Sequence, residues 1–436
     1  MQRMHTKYGS KLSTLLLGGL AALVVVSIIL FPDRAFQSSL EGLTIWWKLV
    51  FPALLPFFIL TELFIGFGVL QGFGVLLEPI MRKLFRLPGV SGWALASGLI
   101  VGFPSGARIT ASLREKGLLS RKETERLTAL SHLCSPLFLV MVVGVGFLHS
   151  ARLGVILAIV HYVAAILTGV LTRFKPDKGR EDTPAAPGGQ PQSEADRLPA
   201  KKLQAASIWL RALYTMRNAH LHDGRAFGKL LGDSVITSVQ SLMLIGGYMM
   251  IFSVLISVIG TIHLTDTLSL VTDRLLGFMN LTTDTAPQWI KGILEIHLGA
   301  YAFSQTEDLP LLPQLSLLSA FLGWGGLSVH AQVASMHQKT DARYIPFFVA
   351  RIVHALVAFA LTIVLWKPLS FLLKNDQPSF LWLDTSAGGK TAPAFPMNGG
   401  TAWGLWGPVS SQLFLFLGAM LIISLLIQSF SRRNQS

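Results

Sequence analysis

The chain has 436 residues, of which 51% are hydrophobic and only 14% charged, and its mean hydropathy is +0.55. A soluble chain needs about a quarter of its residues charged to cover its surface, so a secreted enzyme or cytosolic module is excluded and a polytopic membrane protein is expected. The 36 Lys and Arg against 23 Asp and Glu give a net charge of +13, but these cations flank apolar runs and so mark topology rather than a nucleic-acid surface. The single cysteine, Cys134, excludes an intrachain disulfide and any cysteine-rich metal or iron–sulfur site.

In chain order, the first apolar run is Leu12 to Phe31, preceded by Arg3, Lys7 and Lys11. No small-residue cleavage site follows it, which predicts an uncleaved anchor. Further runs long enough to span are Ile45–Gly66, Leu127–Leu148, Gly154–Leu171, Val235–Ile262, Leu315–Met336, Pro346–Trp366 and Gln412–Ile427, giving eight transmembrane helices. Loops rich in Lys and Arg alternate with loops carrying Asp33 and Glu41, or Asp266, Asp273 and Asp284, or Glu307 and Asp308. The positive-inside rule then places both termini in the cytoplasm. Two apolar segments, Trp93 to Phe103 and Trp289 to Tyr301, have only about 11 to 14 residues and read as re-entrant half-helices, which need protein or water to satisfy their freed backbone. Ordinary interfacial helices are the plainer alternative.

The order of features repeats: a long span, a half-helix, a span interrupted by Gly, Pro or Ser, then a span carrying a histidine. Gly68 pairs with Gly260, Gly98 with Gly292, Ser135 with Ser328 and His161 with His354, at offsets of 192, 194, 193 and 193 by subtraction. Loop charge runs the two copies in opposite directions, so the fold expected is all-α with two inverted repeats, the build of many secondary transporters. The organisation expected is an anchor over residues 1–34, a first repeat over 35–173, a cytoplasmic linker over 174–225, a second repeat over 226–367, an extracytoplasmic loop over 368–408 and a last span over 409–436. The linker is rich in Pro and mixed charge, with an amphipathic helix predicted at Leu203–Met216.

Ionisable residues at membrane depth are costly and mark functional sites. Glu295 lies in the second half-helix with His297 beside it; it can serve a substrate or coupling ion, or pair with Lys291. In the first half-helix Gly102-Phe103-Pro104-Ser105-Gly106 breaks the chain, so Ser105 and Gly106 offer backbone N–H groups at a new helix start. Arg108 follows one turn in, suited to a carboxylate unless it snorkels to the headgroups. Ser135 precedes Pro136 inside a span, and Ser328, His330 and Gln332 follow Gly323-Trp324-Gly325-Gly326. These breaks free backbone groups toward a ligand, although packing by small residues is the plainer reading. His161 and His354 suit interhelical hydrogen bonding better than proton carriage. No P-loop, metalloprotease or nucleophile-elbow motif is present, so an enzyme is not expected and no cofactor or metal is implied.

Trp46-Trp47-Lys48-Leu49-Val50-Phe51-Pro52, the Gly102–Gly106 turn with Arg108, Cys134-Ser135-Pro136, Glu295-Ile296 with Gly299, and Gly326–Gln332 together resemble the YlbJ/SpoVV sporulation integral membrane proteins. The likeness runs over about residues 12 to 366. It implies two Gate, or nucleoside-recognition, domains, shared more distantly with concentrative nucleoside transporters and ferrous-iron transporters. It also implies carriage of dipicolinic acid, a planar dianion, across the outer forespore membrane of a sporulating bacterium. The chain departs from that pattern at His132, where an Asn is expected, and at His297-Leu298, where Thr-Asn is expected. The partners implied are this small anion and the lipid bilayer, with no nucleic acid; a coupling proton or sodium ion and a homo-oligomer are left open. The alternatives are a nucleoside-type transporter and a non-transporting scaffold or receptor in spore-envelope assembly.

Overall fold

A computed structural model of the chain describes residues 21–173, 207–261, 285–306 and 309–372, with a few isolated positions beyond them. Every regular element among the described residues is helical. Among the described residues, five helices are long and apolar enough to cross a bilayer. They are α2 (Pro32–Gly66), α8 (Ala151–Thr172), α10 (Phe227–Thr261), the pair formed by α13 (Leu311–Trp324) and α14 (Gly326–Met336), and α15 (Tyr344–Leu372). At 1.5 Å per residue the 22 residues of α8 reach about 33 Å, enough for a hydrocarbon core of roughly 30 Å. The expected span Leu127–Leu148 is present in two pieces: α6 (Arg121–Ser131) and the π-helix α7 (Phe138–Phe147). Of the anchor, α1 (Ala21–Leu30) is described. The last span and the 375–408 segment lie outside the described residues.

Three expectations are corrected. The segment carrying Asp33 and Glu41 is not a loop: it is the first part of α2, continuous through a π-helical turn at Trp46–Val50. The linker helix is α9 (Ile208–Asp223), several residues after its predicted place. It buries Ile208 and Ala212 against Leu76 of α3 (Val69–Lys83), and Arg211 is 2.6 Å from Glu78. Trp209, Leu210 and Leu213 stay exposed, the pattern of a helix lying in the membrane interface. Each re-entrant half-helix is in fact a hairpin of two short helices: α4 (Ser91–Ile100) with α5 (Ser105–Glu115), and α11 (Ala286–Leu294) with α12 (Ile296–Ser304). Sequence length alone hides the returning arm, because each arm is only about ten residues.

The inverted repeat is visible in which counterparts touch. Ser253 donates to the Ser38 carbonyl at 2.6 Å, Trp46 to the Leu242 carbonyl at 2.9 Å, and Gly66 lies against Leu230. Rising numbers on α2 meet falling numbers on α10, so these counterpart spans run antiparallel. The last spans behave alike: Arg152 of α8 donates to the Ser370 carbonyl, whereas nine residues on, His161 meets His354 with ring centroids 4.7 Å apart. His161 and His354 differ by the repeat offset, 354 − 161 = 193, so this self-matched contact sits on the pseudo-two-fold axis.

Candidate functional site at the convergence of two hairpin tips and two helix breaks

The tips of the hairpins and the breaks of the following helices occupy matched positions. Gly102 at the first tip lies against Ser135 at the first break; adding 193 gives 295 and 328, and Ser328 donates to Glu295 at 3.4 Å. The same internal joint is therefore built twice. In the first repeat the backbone of α4 and α5 closes on the end of α6. A Cβ at Gly98 or Gly106 would overlap the Ser131 carbonyl, so only glycine permits this approach. In the second repeat Gly325 and Gly326 take φ of 91° and 78°, the left-handed conformation that ends α13 and restarts the chain as α14.

The two joints meet. The His297 ring lies 6.4 Å from Phe103 of the first tip and 4.9 Å from Phe138 after the first break, and the Cys134 thiol points to the Leu322 carbonyl at 3.7 Å. Each broken end leaves backbone groups that must find partners away from water. At the first break, the Cys134 N–H donates to His161 Nε2 at 3.1 Å and the Tyr162 hydroxyl donates to the Cys134 carbonyl at 2.8 Å. Arg351 of α15 donates to the Ala129 and His132 carbonyls at 2.6 and 2.8 Å, closing the end of α6 with a cation, where the helix dipole favours one. At the second break, His330 bridges the Tyr344 hydroxyl at 2.7 Å and the Trp324 carbonyl at 3.1 Å.

Glu295 is 1% exposed and is the N-cap of α12. One oxygen accepts from the Leu298 N–H at 2.8 Å, and the other lies 2.8 Å from His297 Nδ1. Lys291 is not its partner; that ammonium reaches Glu41 of α2 at 2.9 Å. A capping bond to a carboxylate contributes on the order of 1–2 kcal/mol, and each charge-assisted bond about 1.5–3. Glu295 therefore fixes the second tip, whose His297 meets Phe103 of the first. Ser135 plays a smaller version of this role, accepting from the Phe138 N–H at 3.2 Å. Ser105 is buried and bonded to Ser97 at 2.6 Å across its own hairpin.

Of the expected site residues, Ser105, Gly106, Ser135, Glu295, His297 and Ser328 lie at the tips and breaks. His330 supports the second break from its far side. Arg108 is exposed, one turn into α5. Gln332 is half-buried along α14, away from the tips, and makes no hydrogen bond among the described residues. Two buried groups were not among the expected site residues. Arg351 is 2% exposed with no carboxylate partner among the described residues, and its Nε has no acceptor. His132 is also 2% exposed, and neither ring nitrogen has a hydrogen-bond partner. An unpaired buried polar group costs about 1–3 kcal/mol, and a buried charge without a counter-ion costs several. The depth rule that selected Glu295 applies equally to Arg351, buried within an apolar span.

At the end of the bundle bearing the basic loops, a cavity of about 110 Å³ is lined by Glu125, Thr128, His337, Arg343, Tyr344 and Phe347, among others. Arg343 holds Glu125 through Nε at 2.8 Å and Nη2 at 3.0 Å, and Arg114 holds Asp341 at 2.8 Å through both Nε and Nη2. Both pairs tie the first repeat to the loop between α14 and α15. The Arg114 guanidinium holds the Asp341 carboxyl below the usual aspartate range.

An all-α membrane protein with paired helical hairpins, broken helices and counterpart spans packed antiparallel defines the class: a polytopic membrane protein built from inverted repeats. The Gate family model, described as nucleoside recognition, matches residues 47–177. The sporulation integral membrane protein YlbJ of Bacillus subtilis (strain 168) is 40% identical over 360 residues, covering 83% of this chain and 84% of that protein. The chain thus belongs to the YlbJ family of sporulation integral membrane proteins. No solved structure matches it.

Proposed function

We propose that this chain is a secondary carrier of a small organic anion, dipicolinate foremost, which crosses the membrane by alternating access of two inverted repeats. The observation that carries the reading is the convergence of both tips and both breaks at one buried place, with Glu295, His297, Ser328, Ser135, Ser105 and Gly106 around it. A scaffold gains nothing from breaking helices at matched positions, whereas a carrier needs loosened backbone and bistable joints there. The chain moves a solute and transforms none, so it acts as a carrier and not an enzyme. The Gate-type repeats are taken as residues 35–173 and 226–367. The basic loops face the cytoplasm, both termini with them, and the membrane is the outer forespore membrane. Coupling to a proton or sodium ion falls on Glu295, the buried carboxylate of the second tip.

A nucleoside substrate is the second reading, favoured by the description of the Gate family that matches the first repeat. Thermal unfolding of the purified chain in detergent separates the readings, because a ligand that binds the folded state raises its melting temperature in proportion to RT ln(1 + [L]/Kd). Stabilisation by dipicolinate and not by uridine supports the organic-anion carrier. Stabilisation by uridine alone supports the nucleoside reading, and a flat response to both supports the scaffold.

A further inference from the structure

We infer that His132 and Arg351 form the inner carboxylate-binding subsite of this carrier, reached from the cavity at the basic end by displacement of Phe347, and that its ligand is a planar organic anion. The inference rests on the carrier reading above and adds residues to it from outside the matched tips.

Two stripes lead to the subsite. Glu125 and Thr128 of α6 and its capping residue His132 follow one another at spacings of 3 and 4 residues, and on α15 so do Tyr344, Phe347 and Arg351, so each set runs along one side of its helix. The outer members, Glu125, Thr128, Tyr344 and Phe347, line the cavity, and the inner members, His132 and Arg351, are buried. Phe347 stands between: it borders the cavity, meets the His132 ring edge-on at 5.3 Å and lies 5.6 Å from the Arg351 guanidinium. Behind His132, Phe103 of the first hairpin tip stacks at 5.6 Å with planes 30° apart.

The chemistry of the unmatched groups names the ligand class. Arg351 already satisfies two backbone carbonyls through its Nη atoms, but its positive charge meets no carboxylate among the described residues and its Nε–H has no acceptor. The His132 imidazole offers one donor and one acceptor, or two donors when protonated, and neither nitrogen is used. Phe103 and Phe347 pack against two sides of the imidazole, so a ligand that displaces Phe347 meets an aromatic lining suited to a flat molecule. A carboxylate on a planar ring supplies the missing negative charge and acceptors, and a second acceptor or donor in the ring plane suits the remaining imidazole nitrogen. A purely structural Arg351 explains its bonds to Ala129 and His132, but it leaves the imidazole without purpose.

Isothermal titration of dipicolinate, isophthalate and uridine against the full-length purified chain tests the inference, with unliganded melting temperature measured alongside. His132→Leu is expected to weaken dipicolinate binding about tenfold or more, the loss of one bond to a charged group. Its melting temperature should hold or rise, because an unpaired buried polar group is removed. Arg351→Lys, which keeps the charge, should bind more tightly than Arg351→Gln. If the arginine variants fail to fold, His132→Leu decides alone. Wild-type binding matched by His132→Leu would overturn the subsite and leave the carrier reading standing. An absence of carboxylate binding by the wild type would overturn both.

Discussion

The two joints at the centre of the molecule are built on one plan and finished differently. In the second repeat, Glu295 satisfies the Leu298 N–H, His297 and Ser328, and the break is a tight pair of left-handed glycines. In the first repeat no carboxylate occupies the tip, the break spans His132 to Ser135, and the His132 ring is left without hydrogen bonds. The second joint uses its polar side chains on itself, whereas the first leaves the two His132 ring nitrogens without partners. The difference teaches that symmetry supplies the architecture, whereas the proposed subsite falls on groups that the symmetry leaves unmatched.

The comparison breaks most visibly if Glu295 is dispensable. Glu295→Ala removes a cap and a charged partner from buried groups, and is expected to cost about 2–4 kcal/mol and abolish transport. Ser135→Ala, at the first break, removes one cap and should cost only about 0.5–2 kcal/mol. Equal melting temperatures for the two variants would erase the asymmetry. Next comes Gly326→Ala, at φ 78° and with its new Cβ 2.9 Å from the Ile296 nitrogen. Strain there is expected to cost about 1–3 kcal/mol, read as a lowered denaturation midpoint.

Smaller effects concern the tie at the basic end. Arg343→Ala leaves the buried Glu125 with Arg121 at 4.0 Å as its remaining ion pair, and should lower stability by about 1–2 kcal/mol while raising accessibility of a cysteine introduced at Thr128. Unchanged labelling would show that the pair does not hold that entrance. The least effect is that of pH on Arg114–Asp341. The folded carboxyl is depressed, so its contribution is present above the ordinary aspartate value near 4 and is lost as pH falls through the lower folded value. Arg114→Gln should therefore lose the part of the acid sensitivity that this pair confers, seen as a flatter melting curve series below about pH 4.

Much of this architecture was legible in the sequence because bilayers impose simple rules on length and charge. The hairpin tips showed as Gly-Phe-Pro-Ser-Gly and as Glu295, the breaks as Pro136 and as Gly325-Gly326, and the inversion as alternating loop charge. Periodicity could not reveal the hairpins, since α5 is too mixed to read as a membrane helix and α11 and α12 together read as one short apolar segment broken only at Glu295. Nor could it show that Lys291 would turn away to Glu41 on another helix, a contact 250 residues distant. Arg351 and His132 were visible as residues at depth, but their significance lies in what fails to reach them, which only a packed structure displays. Arg108, conspicuous in sequence for its place after a helix start, faces outward because α5 buries Ala107, Thr110 and Ala111 instead.

The most direct measurement is initial-rate uptake of labelled dipicolinate into proteoliposomes containing only the purified chain. Saturable uptake is predicted, unaffected by a tenfold excess of uridine and lost in Glu295→Ala; uptake no greater than in protein-free liposomes would contradict the account.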